Sequence, residues 1–231
     1  MRKLLKLVAI LVFTAIGLPS YADVDTIYSI DIANSDLSCC SGPYATVDVH
    51  WIDNTHATVT FDSVANGGYI YLMGAEKAVD INVNAFTWAI SGITGTNSVS
   101  AGFTPGPFTD TGSGPGSVDG FGNFNQTIES FDGFTNTSTE ITFNLQDISS
   151  TWSGSEKVLT PNGDGFIVAI HGFACAQPGC SSTGSAFATG FASTTAPISA
   201  VPEPEIYAMM GVGLMLMGFV ARRRQGQAAA A

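Results

Sequence analysis

Residues 45–61 read ATVDVHWIDNTHATVTF, and the apolar period through this stretch is two. Ala45, Val47, Val49 and Trp51 fall on one face of an extended chain, and Thr46, Asp48 and His50 on the other. Asp53-Asn54-Thr55 has turn chemistry, and Ala57, Val59 and Phe61 resume the alternation after it. The reading is a pair of half-buried strands joined by a tight turn.

Working outward, further strands are legible at Tyr69–Met73, at Val79, Ile81 and Val83, at Phe86, Trp88 and Ile90, and at Ile141, Phe143 and Leu145. The turn-like Asn162-Gly163-Asp164-Gly165 precedes a continuous apolar run, Phe166 to Ile170, suited to a central strand covered on both faces. No long 3.6-residue period appears outside the two ends. Short strands punctuated by Gly, Asn, Asp and Pro predict an all-β chain, folded as a single β-sandwich of jelly-roll-like kind, with a closed barrel as the alternative. Ser98 to Gly122 is rich in Gly and Pro and reads as a long surface loop. Asp119-Gly120-Phe121 recurs as Asp132-Gly133-Phe134, with Asn123 and Asn136 at equal offsets. The pair reads as two similar turns, each with its Phe covering the edge of the sandwich.

The ends differ from the middle. Arg2, Lys3 and Lys6 precede an apolar segment, Leu7 to Leu18, and then Ser20-Tyr21-Ala22, which is the layout of a secretory signal peptide over 1–22 cut between Ala22 and Asp23. At the other end, Ile206 to Ala221 is a single hydrophobic helix of 16 residues. At 1.5 Å per residue it spans about 24 Å, short of the roughly 30 Å hydrocarbon core that a permanent anchor must cross. Between the ends lies a secreted domain over 23–198, followed by a tail over 199–231. Residues 23–200 hold 17 acidic residues against Lys77 and Lys157, a formal charge of −15. Such a surface repels nucleic acid and anionic lipid, leaving divalent cations and neutral polymers as partners.

Export places four cysteines in an oxidising compartment. Pro178-Gly179 suits the centre of a type II turn, which favours a bridge from Cys175 to Cys180. Cys39 and Cys40 then form a vicinal bridge or stay as thiols. A long clip from 39 and 40 to 175 and 180 is the competing arrangement, and adjacent cysteines make zinc a poor fit. His50, His56 and His171 show no metal-ligand spacing, and no Gly-x-Ser-x-Gly elbow occurs. Asp119, Asp132 and Asp164 sit in Gly-containing loops; turn duty is their first reading and calcium their second. No cofactor is called for. The aromatic residues suit either a core or a sugar-binding platform.

The order Val201-Pro202-Glu203-Pro204, an apolar segment and Arg222-Arg223-Arg224 resembles the PEP-CTERM sorting signal of exported proteins in Gram-negative bacteria. The resemblance implies transient insertion in the inner membrane with the arginines cytoplasmic, processing near Pro-Glu-Pro by an exosortase-type transpeptidase, and delivery to the cell surface or extracellular matrix. Arg222 to Arg224 agree with the positive-inside rule. The extra QGQAAAA after the arginines departs from the usual family tail. The middle of the chain, with GFTPGPF and DGFGNFNQTI, is similar to the Gly-rich β domains such proteins carry. The expectation is a non-enzymatic envelope or matrix protein associated with exopolysaccharide or biofilm. The alternative is a calcium- or carbohydrate-binding module, and a secreted hydrolase comes third.

Overall fold

The computed structural model describes residues 25–112, 116–194 and 197–200. The signal segment with its Ala22–Asp23 junction, and the tail from Val201 onward with its hydrophobic helix, lie outside them. In chain order the strands are β1 (Asp25–Ile30), β2 (Ile32–Ala33), β3 (Ala45–Asp53), β4 (His56–Ser63), β5 (Ala65–Asn66), β6 (Tyr69–Met73), β7 (Val79–Ile81), β8 (Trp88–Thr96), β9 (Phe108–Asp110), β10 (Gly116–Val118), β11 (Gly122–Phe124), β12 (Gln126–Ser130), β13 (Glu140–Asp147), β14 (Val168–Ala176), β15 (Ala188–Thr194) and β16 (Pro197–Ala200). Among the described residues there are three short 3-10 turns and no α-helix, and no helix there is long and apolar enough to cross a membrane.

The strands form antiparallel sheets. A six-stranded sheet runs β16-β1-β3-β4-β13-β8; an eight-stranded one runs β2-β15-β14-β7-β12-β9, with β6 also on β14 and β5 on β6; β10 and β11 pair by themselves. The β3–β4 alternation is realised from Ala45 opposite Ser63 to Trp51 opposite Ala57, and Ala45, Val47, Val49, Trp51, Ala57, Val59 and Phe61 are buried. Val47, Val49, Phe61 and Phe143 of the six-stranded sheet join Val79, Ile81, Ile128 and Ile170 of the eight-stranded sheet in one hydrophobic cluster. Phe61 and Phe143 stack across β4 and β13 with ring centroids 6.3 Å apart. Each fully buried side chain of this size contributes about 1.5–3 kcal/mol by leaving water.

The apolar run before residue 171 is covered on both faces. Val168 and Ile170 enter the shared core, while Ala169 joins a second cluster with Val118, Phe121 and Phe124. That second cluster corrects one expectation: Ser98 to Gly122 is not loop throughout. It contains β9 and β10, and the β10–β11 hairpin folds onto the outer face of the eight-stranded sheet. Gly120 and Gly122, at φ 83° and 78°, turn the chain tightly enough for this. The second Asp-Gly-Phe is a different solution, since Phe134 opens a 3-10 turn. A further correction concerns Phe86, which precedes β8 and is 92% exposed, so the strand starts at Trp88.

Candidate functional site

β16 closes one edge of the six-stranded sheet against β1, with Thr26 opposite Ala200 and Ile27 opposite Ser199. Because the two are antiparallel, β1 starts where β16 stops. β1 also pairs Asp25 with His50 and Thr26 with Val49, so this start and stop lie toward the β3–β4 turn and away from Ala45. Val201, Pro202, Glu203 and Pro204 follow Ala200 directly in sequence. These four, and Arg222 to Arg224, lie outside the described residues.

The cysteines form two local bridges. Cys175 and Cys180 are bonded with Cα atoms 5.3 Å apart, and Cys39 is bonded to Cys40. The long clip between the two pairs is not formed. Gly179 does not take the positive φ that a type II turn requires, so the Cys175–Cys180 loop closes through another turn. Tyr44 Oη donates to the Cys40 carbonyl at 2.7 Å, which ties the vicinal pair to the core.

The histidines are separate. His50 Nδ1 meets Asp25 Oδ1 at 2.7 Å, linking β3 to the start of β1. His56 lies beside Asp53 at the β3–β4 turn, where the Asp53 carboxylate accepts from the Thr55 and His56 backbone N–H groups. The Thr55 N–H, and then His56, hold the Asp53 carboxyl down at about 2. His171 stacks on Phe191 with centroids 4.6 Å apart and is held by the Glu76 carbonyl and Thr189 Oγ1. Burial lowers its pKa, favouring the neutral ring.

The three aspartates weighed for calcium occupy turns. Asp119 accepts from Asn34 Nδ2 at 3.0 Å, and the Asp164 carboxyl abuts Gly122, so both border the β10–β11 hairpin. Asp164 belongs to an Asx-type turn in which Asn162 Oδ1 accepts from the Asp164 and Phe166 N–H groups. Asp132 lies in a different turn, where its carbonyl accepts from Asn136 Nδ2. Among the described residues, no group of three or more His, Cys, Asp or Glu side chains is placed to hold a metal ion.

Sequence reasoning missed Asp80. It is 0% exposed in β7, and its neighbours Val79 and Ile81 face the shared core. Thr127 Oγ1 donates to Asp80 Oδ1 at 2.5 Å, and Oδ2 has no hydrogen-bond partner among the described residues. Burial pushes the carboxyl up to about 8 against the smaller lowering effects of Thr127 and Lys77. A pattern of one acid between two apolar residues is the ordinary signature of a solvent-facing position, so the sequence held no signal of this burial.

Residues 200–224 match the family model described as the PEP-CTERM protein-sorting motif. The match spans both the Pro-Glu-Pro element and the arginine cluster, and it is consistent with an exosortase substrate. No curated protein and no solved structure matches the chain.

Proposed function

We propose that this chain is a non-enzymatic, exported envelope or extracellular-matrix protein, built on a jelly-roll-like sandwich and associated with exopolysaccharide or biofilm after release from the inner membrane. The sorting motif at residues 200–224 carries the reading. The shared core of the two larger sheets supports the sandwich. The use of polar groups supports a structural role. Asp53, Asp147 and Asn162 bond the backbone of their own turns, and His50 is paired with Asp25. In this reading Pro202 and Pro204 flank Glu203 as the recognised word of the processing signal.

The test is intact-mass analysis of the mature protein from a host with a matching exosortase. The expected product lacks everything beyond the Pro-Glu-Pro region, and changing Pro202, Glu203 and Pro204 to alanine leaves a longer, membrane-retained form. Arg222 to Arg224 still attached to wild-type surface protein would overturn the reading. A carbohydrate-binding role is the second reading, favoured by a depression of about 370 Å³ on the six-stranded sheet, lined in part by His56, Ser91, Asn144 and Gln146. Calorimetry of the released protein against a polysaccharide panel and calcium separates the two; saturable binding lost in Asn144→Ala favours the second.

A further inference from the structure

Among the described residues, three of the six exposed large hydrophobic side chains, Ile52, Phe86 and Ile148, stand at one end of the six-stranded sheet, 55%, 92% and 60% exposed respectively. Ile52 is the penultimate residue of β3, Ile148 follows β13 and Phe86 precedes β8. The loops that carry them are tied together. Ile148 N donates to the Thr87 carbonyl at 2.9 Å, Asp147 N to the Thr55 carbonyl at 2.9 Å, and Trp152 N to the Asn54 carbonyl at 2.7 Å. Ser149 Oγ accepts from the Phe86 and Thr87 N–H groups, and the Asp147 carboxylate accepts from Ser149 and Ser150. These apolar residues are therefore presented by fixed backbone.

We propose that this end of the sheet is a membrane-docking surface, seated on a zwitterionic phospholipid interface while the C-terminal apolar run is inserted. The inference rests on the sorting-route reading. Its independent support is the place where the chain leaves the domain. β16 ends at Ala200 opposite Thr26, and β1 begins at Asp25 opposite His50, on the side of the β3–β4 turn where Ile52 stands. Only Val201 to Glu205 separate Ala200 from the apolar run that starts at Ile206. At no more than about 3.5 Å per residue, that strip reaches roughly 20 Å, so a bilayer holding the run is close to the docking end. Three apolar side chains would bind a lipid surface weakly by themselves. Tethering makes the contact intramolecular, so a weak interaction suffices. The acidic domain disfavours an anionic surface, which selects the zwitterionic one.

The opposite end provides a control. Phe187 is 62% exposed and lies against Tyr69, in the region where Asn66 bonds the Ser41 and Gly42 carbonyls, next to Ala45. The experiment places the photo-crosslinker p-benzoylphenylalanine at position 86 or 187 of the full chain, reconstituted in vesicles of phosphatidylcholine and phosphatidylethanolamine. Mass spectrometry then reads the adducts after irradiation. The expected result is a lipid adduct at position 86 in several-fold excess over position 187, lost when Ile52→Asp and Ile148→Asp are combined. Circular dichroism confirms that the combined variant keeps its fold. An adduct to a second copy of the chain, or none at position 86, overturns the docking surface. Vesicle flotation reads insertion separately: a chain that floats without a lipid adduct sinks this inference and leaves the sorting reading standing, whereas a chain that does not float overturns both.

Discussion

Asp80 lies in the eight-stranded sheet, opposite Thr127 on one side and Ala169 on the other. A Cβ on Gly116 would meet Asp80 Oδ1 at 3.2 Å, so the β10–β11 hairpin approaches this carboxyl as closely as a glycine allows. Burial raises the carboxyl from 3.8 to about 8, and at neutral pH the folded protein therefore holds a proton that the unfolded chain has released. Between these two values the unfolded state binds fewer protons, so this group makes stability fall as pH rises from about 4 to about 8 and leaves it level beyond. At about 1.4 kcal/mol per pKa unit, the cost reaches a few kcal/mol. Asp80→Asn keeps an oxygen for Thr127 and removes the titration. Denaturant unfolding at pH 5 and pH 8 should show the variant gaining on the wild type as pH rises. Parallel declines would show that Asp80 does not titrate between them.

At the scale of elements, the Cys175–Cys180 bridge spans the exit from β14, where its sulfurs pack with Leu72 in a small cluster of their own. Chain-entropy stabilisation grows with loop length, and for so short a loop it is about 2 kcal/mol. Cys175→Ser with Cys180→Ser is expected to lower stability by no more than that, and peptide mapping without reduction should recover the closed CAQPGC fragment. A fragment joining Cys39 or Cys40 to either residue would refute the local bridge. The sequence made some of these elements legible and hid others for physical reasons. β3, β4 and β13 could be read because a sheet with one face on a core alternates at period two, and β14 because two covered faces leave an unbroken apolar run. The β10–β11 hairpin could not, since its buried Val118, Phe121 and Phe124 are spaced by glycines and match neither period. The sorting tail could be read because a processing signal is a linear word. Asp80 could not, because its cover comes from a hairpin distant in sequence.

At the scale of the whole molecule, the place of processing bears on the integrity of the fold. β16 is an edge strand, and it starts with Pro197, whose missing N–H suits an edge. Its pairing with β1 runs to Ala200, so a cut in the Pro-Glu-Pro region leaves the strand whole. A cut before Pro197 would strip it and turn β1 into the edge, with the backbone of Thr26, Ile27 and Tyr28 that β16 had paired open to pairing with another chain. Two secreted variants test this, one ending after Pro202 and one after Thr194. The longer is expected to stay dispersed, while the shorter unfolds at lower denaturant and associates through its new edge, read by chemical denaturation and light scattering. Equal stability and equal dispersion would mean that β16 adds nothing to the released protein. In that case the position of the sorting motif just after Ala200 would not be set by the need to keep the sheet complete.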